Sequence, residues 1–251
     1  MTEPSKAKTP ALKTKDRIIV ALDVETADEA RAMIAELRGE AGAFKIGLQL
    51  FTAAGPSFVR EVTASGVKVF LDLKFHDIPH TVAAASVEAA RLGVWMFNVH
   101  ASGGREMMAW AFDAVRRSCE VEGREMPVII GVTLLTSSNA ATLGEAGIES
   151  SVEEYVVRLA REAEVSGLAG VVASPIEASA IRKAVVSDGF VIVTPGIRTI
   201  SGTLDDQKRV TTPADALSAG ADYLVIGRPI TAAPDHAAAV RKIIADIDKA
   251  N

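Results

Sequence analysis

Residues 67–81 read VKVFLDLKFHDIPHT, an apolar run that becomes charged and then meets a proline. The first part, residues 67–73, has the length and the β-branched content of a buried strand. A helical pattern begins at Thr81, two residues after the proline, and continues to residue 92. This strand and this helix form a unit that recurs in both directions along the chain.

Similar units fill the rest of the sequence. The other predicted strands are residues 17–22, 43–46, 96–99, 127–132, 170–173, 190–193 and 223–226. The other predicted helices are residues 27–38, 55–65, 105–118, 152–166, 176–186, 213–219 and 235–249. Eight nearly all-apolar strands that alternate with helices over about 250 residues are typical of a closed parallel (β/α)8 TIM barrel rather than an open doubly wound sheet. We therefore expect one α/β barrel domain over residues 17–251, preceded by a flexible leader over residues 1–16.

Composition limits the classes of function. The chain is 49% hydrophobic and 24% charged, which is ordinary for a globular domain with a large core. Its net charge of -5 disfavours a nucleic-acid binder with a broad basic face, and its one cysteine, Cys119, cannot form an internal disulfide. No apolar run approaches the ~18 residues of a membrane helix, and the leader has no signal-peptide core. We expect a cytoplasmic protein with neither a membrane nor a nucleic-acid partner.

Charged residues cluster where the strand at residues 67–73 ends. Asp72 and Lys74 are two residues apart, so on a regular strand they share a face, and Asp77 follows in the loop. A barrel gathers the ends of its strands at one mouth, which adds Lys45 from the preceding strand. Alternating ammonium and carboxylate groups keep the carboxylates ionised. The cluster predicts a catalytic site, and a structural network of ion pairs is the alternative.

The last two predicted strands end in segments that suit a phosphate. Residues 194–198 read TPGIR and residues 226–230 read IGRPI. Barrels often bind phosphate with the loops after these two strands, where glycines allow close backbone approach and arginine supplies a charged fork. Turn glycines with surface arginines are the alternative. The polar segment 199–210 has the composition of a lid over such a site, or of an ordinary surface loop.

The histidines give a weaker signal for a metal site. His76 and His80 are four residues apart, but Pro79 between them disfavours a continuous helix. Lys45 also places a cation where a metal-dependent barrel would need a ligand. We therefore expect no catalytic metal.

Taken together, these motifs resemble those of bacterial orotidine 5′-phosphate decarboxylases. The resemblance rests on VALD at 20–23, FKIG at 44–47, FLDLKFHDIP at 70–79, NVHA at 98–101, LTS at 135–137, VTPGIR at 193–198 and IGRP at 226–229. The motifs occur in the same order as in the family, from residue 17 to about residue 244.

The resemblance implies that the protein converts orotidine 5′-monophosphate to uridine 5′-monophosphate and carbon dioxide without a metal or organic cofactor. Lys74 would protonate the ring carbon that loses its carboxylate, and Asp72 would lie against that carboxylate. Asp23 and Lys45 would hold the ribose hydroxyls. Thr136, with Ser137 as a near alternative, would contact the pyrimidine. The residues implied for the phosphate are Arg198, Gln207, Gly227 and Arg228.

The resemblance also implies a homodimer. Asp77 and Thr81 would reach across the interface into the partner's site. Two other functions remain open from the sequence: a metal-dependent sugar-phosphate decarboxylase or epimerase similar to the 3-keto-gulonate phosphate enzymes, and a non-catalytic nucleotide sensor that keeps the pocket.

Overall fold

Eight parallel strands close into a barrel in which each strand pairs with the next along the chain and the last pairs with the first. The computed structural model describes residues 12–197 and 211–250. The strands are β1 Ile18–Ala21, β2 Ala43–Gly47, β3 Val69–Phe75, β4 Met96–His100, β5 Val128–Val132, β6 Gly170–Val172, β7 Val191–Thr194 and β8 Tyr223–Ile226. The predicted (β/α)8 barrel is confirmed.

Helices follow the strands and cover the outside of the barrel. Within the described residues they are α1 Ala27–Leu37, α2 Leu48–Ala64, α3 Pro79–Arg91, α4 Gly104–Glu122, α5 Ala140–Glu145, α6 Val152–Val165, α7 Pro175–Ala184, α8 Pro213–Ser218, α9 Arg228–Thr231 and α10 His236–Ala250. Two 3-10 turns, Thr14–Arg17 and Ala101–Gly103, precede β1 and α4. Nowhere in the described ranges is a helix both long and apolar enough to span a bilayer.

Side chains alternate between two apolar layers. On β1, Ile18 and Val20 face the helices, whereas Ile19 and Ala21 face the barrel interior. The interior layer consists of Ile19, Ala21, Ala43, Phe70, Met96, Ile130, Val132, Val172, Val193 and Val225. These residues fill the barrel below its mouth, so the polar ends of the strands rest on an apolar floor.

Three helical segments differ from the sequence prediction. The helix predicted over 55–65 is the second part of α2, which begins at Leu48 and is kinked at Gly55, where φ is 72°. Gly55 and Pro56 interrupt the helical pattern at the kink, so the sequence does not predict the part of the helix that precedes them. The short helices α5 and α9 were not predicted either, because six and four residues are too few to show a periodic pattern.

The ends of the predicted domain stay partly untested. Residues 1–11 of the predicted leader lie outside the described residues, and its last residues belong to the 3-10 turn Thr14–Arg17. The segment 199–210, predicted as a lid or a surface loop, also lies outside the described residues. The boundary between leader and barrel therefore remains a prediction.

Strand β3 loses its regular pairing just where it becomes charged. Phe70 pairs with Met96 and Leu71 with Phe97, but the next pair is Phe75 with Val99. Three residues of β3 thus lie opposite one residue of β4, which is a bulge. Within this bulge Lys74 has a φ of 53°, and among the described residues no other non-glycine has a positive φ. The bulge sets the shape of the barrel mouth.

Candidate active site

A continuous chain of opposite charges crosses the barrel mouth. The Lys74 Nζ lies 2.6 Å from the Asp72 Oδ1, and the Lys45 Nζ lies 3.5 Å from the Asp72 Oδ2. The same Lys45 Nζ lies 3.1 Å from the Asp23 Oδ1. The structure therefore brings together Lys45, Asp72 and Lys74 of the predicted cluster, whereas the fourth residue is Asp23 and not Asp77. The charge signs alternate along these four residues.

Among these four charged side chains, the two in the middle of the row are the least exposed. The side chains of Lys45 and Asp72 are 12% and 13% exposed, whereas Lys74 is 28% and Asp23 60% exposed. Burial alone raises the pKa of Asp72, but the ammonium groups of Lys45 and Lys74 oppose it, with hydrogen bonds from Lys74 and Asn98. The net effect is that the pKa of Asp72 lies below its ordinary value. Asp72 is therefore an anion held between two cations.

The backbone of Lys74 is strained. A positive φ in a residue with a Cβ costs of the order of 1–3 kcal/mol and persists only where the surrounding structure enforces it. The strain occurs at the ammonium-bearing residue that ends the charge chain. Such outliers cluster at functional sites, which supports the interpretation of this mouth as an active site.

Asn98 is a site residue that the sequence analysis did not single out for a role. It lies on β4, is 1% exposed, and its Nδ2 donates to the Asp72 Oδ1 at 2.7 Å. Its Oδ1 accepts a hydrogen bond from the Lys74 backbone N–H at 2.8 Å. The sequence does contain a sign of this role: Asn98 is an amide in the otherwise apolar run Met96-Phe97-Asn98-Val99. A buried amide needs hydrogen-bond partners, so its side chain is expected to contact other polar groups.

The charged residues border two compartments of the cavity at the barrel mouth. The first, with about 390 Å³ of empty space, lies beside Asp23 and the start of α2 and is lined by Leu22, Gly47, Leu48, Gln49 and Leu50. The second, with about 700 Å³, has mostly apolar walls, including Phe70, Val132, Val172, Pro195 and Val225. Lys45, Asp72 and Lys74 line both compartments.

Thr136 and Ser137 line the apolar compartment, which Lys74 also lines. They follow β5 and precede α5, in a loop that also contributes Leu134 and Leu135 to the wall. Their hydroxyls offer hydrogen-bonding groups at the edge of an apolar space, which suits a flat polar ring. The predicted contact residue Thr136 therefore lies at the cavity.

The predicted phosphate-binding residues are only partly described. Gly227 follows β8 and lies close to the charge chain, because a Cβ added there would come within 3.3 Å of the Asp23 Oδ2. Arg228 begins α9, and neither of these two residues lines the cavity. Arg198 and Gln207 lie outside the described residues.

Asp77 and Thr81 stand apart from the cavity of their own chain. Asp77 is exposed and its Oδ1 accepts a hydrogen bond from the Ile78 backbone N–H at 2.7 Å. Thr81 is exposed in the first turn of α3, and Ile78 between them is 66% exposed. Within one chain, Asp77 does not join the alternating cluster in which the sequence placed it.

Two histidines lie beside the charge chain. The His76 and His100 rings are 5.2 Å apart between centroids. Burial, with the nearby charges of His76 and Lys74, lowers the pKa of His100. In the described part of the chain no three His, Cys, Asp or Glu side chains are grouped so that they could hold a metal ion.

Comparison with known proteins gives consistent matches over the barrel. A model of the orotidine 5′-phosphate decarboxylase / HUMPS family matches residues 16–243. The chain is 55% identical over 235 residues to the orotidine 5′-phosphate decarboxylase of Moorella thermoacetica, covering 93% of each chain. It is 50% identical over 236 residues to that of Syntrophotalea carbinolica, covering 94% of this chain and 96% of the other. A crystal structure of orotidine 5′-phosphate decarboxylase from Lactobacillus acidophilus is similar with a TM-score of 0.80, 35% identity, and coverage of 92% of this chain and 98% of that chain.

Proposed function

The chain belongs to the orotidine 5′-phosphate decarboxylase / HUMPS family, and we propose that it acts as an orotidine 5′-phosphate decarboxylase in pyrimidine biosynthesis. The reaction releases carbon dioxide from orotidine 5′-monophosphate and leaves uridine 5′-monophosphate. Within the molecule, the observation that carries the proposal is the mostly buried Asp72 carboxylate held between the Lys45 and Lys74 ammonium groups at a cavity.

Lys74 has the central role in the proposed chemistry. When the carbon–carbon bond to the substrate carboxylate breaks, the electron pair stays on the ring carbon, and that carbon has no adjacent electron sink. An ammonium fixed beside it stabilises the growing negative charge and then gives it a proton. The amine regains its proton from solvent after product release. No cofactor is needed for this balance of atoms and charge.

The neighbouring residues would bind and orient the nucleotide. Asp72 would lie against the departing carboxylate, and Asp23 and Lys45 would bind the ribose hydroxyls in the compartment beside Asp23. Thr136, or Ser137, would bind the pyrimidine in the apolar compartment. The proposed phosphate ligands are Arg198, Gln207, Gly227 and Arg228. Binding energy from the remote phosphate can then lower the barrier at the ring.

The decisive experiment follows the orotate absorbance while the purified protein is incubated with orotidine 5′-monophosphate. We expect the absorbance to fall, and to fall at the same rate after exhaustive chelation. A rate abolished by chelation would favour the metal-dependent sugar-phosphate enzymes. Tight binding of uridine 5′-monophosphate with no change in absorbance would favour the non-catalytic sensor and contradict the proposal.

We further propose that the active unit is a homodimer to which Asp77 and Thr81 contribute across the interface. The support is that both residues are exposed and lie away from the cavity of their own chain. The test mixes two inactive variants, Lys74→Ala and Asp77→Ala. A heterodimer has one complete site, so mixing should partly restore turnover. A fully active monomer in sedimentation would contradict the proposal.

The proposed place of action is the cytoplasm. The support is the reaction itself, because it supplies a nucleotide for pools that are used inside the cell. Fractionation of cells that carry the tagged chain is the test, and recovery of turnover outside the cytoplasmic fraction would contradict it.

A further inference from the structure

Asn98 interrupts an otherwise apolar strand. Its neighbours Phe97 and Val99 are fully buried, and Asn98 itself is 1% exposed. Burying an amide is unfavourable unless its donor and its acceptor both find partners. Both partners of Asn98 are in the bulged part of β3.

The first partner is the backbone of Lys74. Between the pairs Leu71–Phe97 and Phe75–Val99, Asn98 is the one β4 residue opposite three β3 residues, so the regular ladder is interrupted there. The Asn98 Oδ1 accepts from the Lys74 backbone N–H at 2.8 Å. A side chain therefore takes the place of the missing ladder bond at the residue whose φ is 53°.

The second partner is the carboxylate of Asp72. The Asn98 Nδ2 donates to the Asp72 Oδ1 at 2.7 Å, and the same oxygen lies 2.6 Å from the Lys74 Nζ. The orientation of the amide follows from its partners. A backbone N–H only donates and so must face Oδ1, which leaves the NH₂ group for the carboxylate.

We propose that Asn98 is a positioning residue, which fixes the backbone of Lys74 and the carboxylate of Asp72 with one amide. The inference rests on the decarboxylase function proposed above and deepens it. An amide of this length supplies an acceptor and a donor at the required spacing. Leucine supplies neither, and aspartate supplies the acceptor alone and adds a negative charge next to Asp72.

The test compares Asn98→Leu and Asn98→Asp with the wild type. For Asn98→Leu we expect kcat to fall about 100-fold, the usual effect of a displacement of about 1 Å at reacting groups. Binding of uridine 5′-monophosphate should change far less.

In Asn98→Asp, a second carboxylate beside Asp72 raises the pKa of the pair, so the acid limb of the kcat/KM profile should move to higher pH. Asn98→Asp has nearly the shape of asparagine, which keeps the test usable if Asn98→Leu does not fold.

The matched control is Thr133→Val. Thr133 is 3% exposed, follows the neighbouring strand β5, and its hydroxyl donates to the Val172 carbonyl at 2.9 Å. Alternation along the chain turns it away from the cavity that Val132 lines. Thr133→Val also loses a buried hydrogen bond, so it should lower Tm but leave kcat and the pH profile unchanged.

The outcomes separate the inference from the proposed function. Wild-type kcat and an unshifted pH profile in both Asn98 variants would overturn the positioning role while the decarboxylase function stands. A wild-type chain without turnover would overturn the function. In that case a crystal structure of Asn98→Leu tests the positioning directly: we expect Lys74 to leave positive φ and its Nζ to move away from Asp72, and an unchanged geometry would refute it.

Discussion

The same strands form both ends of the barrel interior, but one end is apolar and regularly paired, whereas the other carries charges and an irregular backbone. Towards the N-terminal ends, Phe70 and Met96 pair in regular register and are buried against other apolar side chains. Two and four residues further along β3, Asp72 and Lys74 place charges in a largely buried position, the register shifts, and Lys74 adopts a positive φ. Apolar burial in the first region stabilises the fold. The buried charges and the strained backbone of the second region offset part of that stabilisation. Stability and chemistry are thus separated along a single strand.

The largest expected effect is the loss of turnover in Lys74→Ala. Removing the proposed proton donor and charge stabiliser should lower kcat by roughly 10⁴-fold or more, while the fold and much of the nucleotide binding remain. Steady-state kinetics, circular dichroism and product titration measure the three properties.

Lys68→Ala is the matched control for that loss. Lys68 immediately precedes β3 at the opposite end, where its Nζ lies 5.4 Å from the centroid of the Trp95 ring. Its removal should leave kcat unchanged. Equal losses in the two lysine variants would show that the two ends are not functionally distinct.

Met96→Ala should have the opposite effect to Lys74→Ala: it should lower stability and leave turnover unchanged. Met96 is fully buried in the interior layer, so truncating it removes apolar contacts and leaves a cavity, at about 2–5 kcal/mol of unfolding free energy. The kcat per folded molecule should stay at the wild-type value. Urea denaturation and active-site titration measure the two quantities, and a fall in kcat without a loss of stability would refute the separation.

A smaller effect should appear when Lys74→Gly is compared with Lys74→Ala. Both variants lack the ammonium, but glycine adopts a positive φ without the steric cost that alanine retains. We expect Lys74→Gly to be more stable by about 1 kcal/mol in chemical denaturation. At Lys68, which has no positive φ, the order should be reversed, with glycine less stable than alanine. The same order at both positions would mean that the backbone of Lys74 is not strained.

We expect the smallest effect from titration of Asp72, because burial and the lysines act on its pKa in opposite directions. Its folded-state pKa is lowered, so its contribution to stability is present above the unfolded value of about 3.9 and is lost as the pH falls through the folded value. Acid unfolding of the wild type and of Asp72→Asn measures this contribution. The variant should lose less stability than the wild type on acidification, and parallel curves would contradict the lowered pKa.

The barrel was accessible from the sequence because its strands are nearly all-apolar and alternate regularly with helices. Each strand and its covering helix leave a periodic signal that does not depend on distant residues. The early part of α2 was missed because Gly55 and Pro56 interrupt its pattern. Short helices such as α9 depend on the turns that hold them, and they leave no periodic signal.

The sequence predicts most of the residues of the site, but not the backbone geometry and the hydrogen bonds that hold them in place. The sequence places Asp72 and Lys74 together because they are two residues apart. Their contact forms inside a bulge, and this segment contains no glycine that would indicate a bulge from the sequence. The part played by Asn98 depends on a neighbouring strand more than 20 residues away, so no local pattern contains it. The role proposed for Asp77 requires a second chain, which a single sequence implies only by resemblance.

The bulge in β3 has a consequence for protein engineering. Grafting the Asp-x-Lys pair alone onto another barrel would place both side chains on an ordinary pleat, with a relaxed main chain and no amide between them. A working transplant has to carry β3 together with the Asn98 position of β4, and has to keep the two-residue excess in length between them. The smallest portable unit of the Asp72–Lys74 geometry is therefore a pair of adjacent strands.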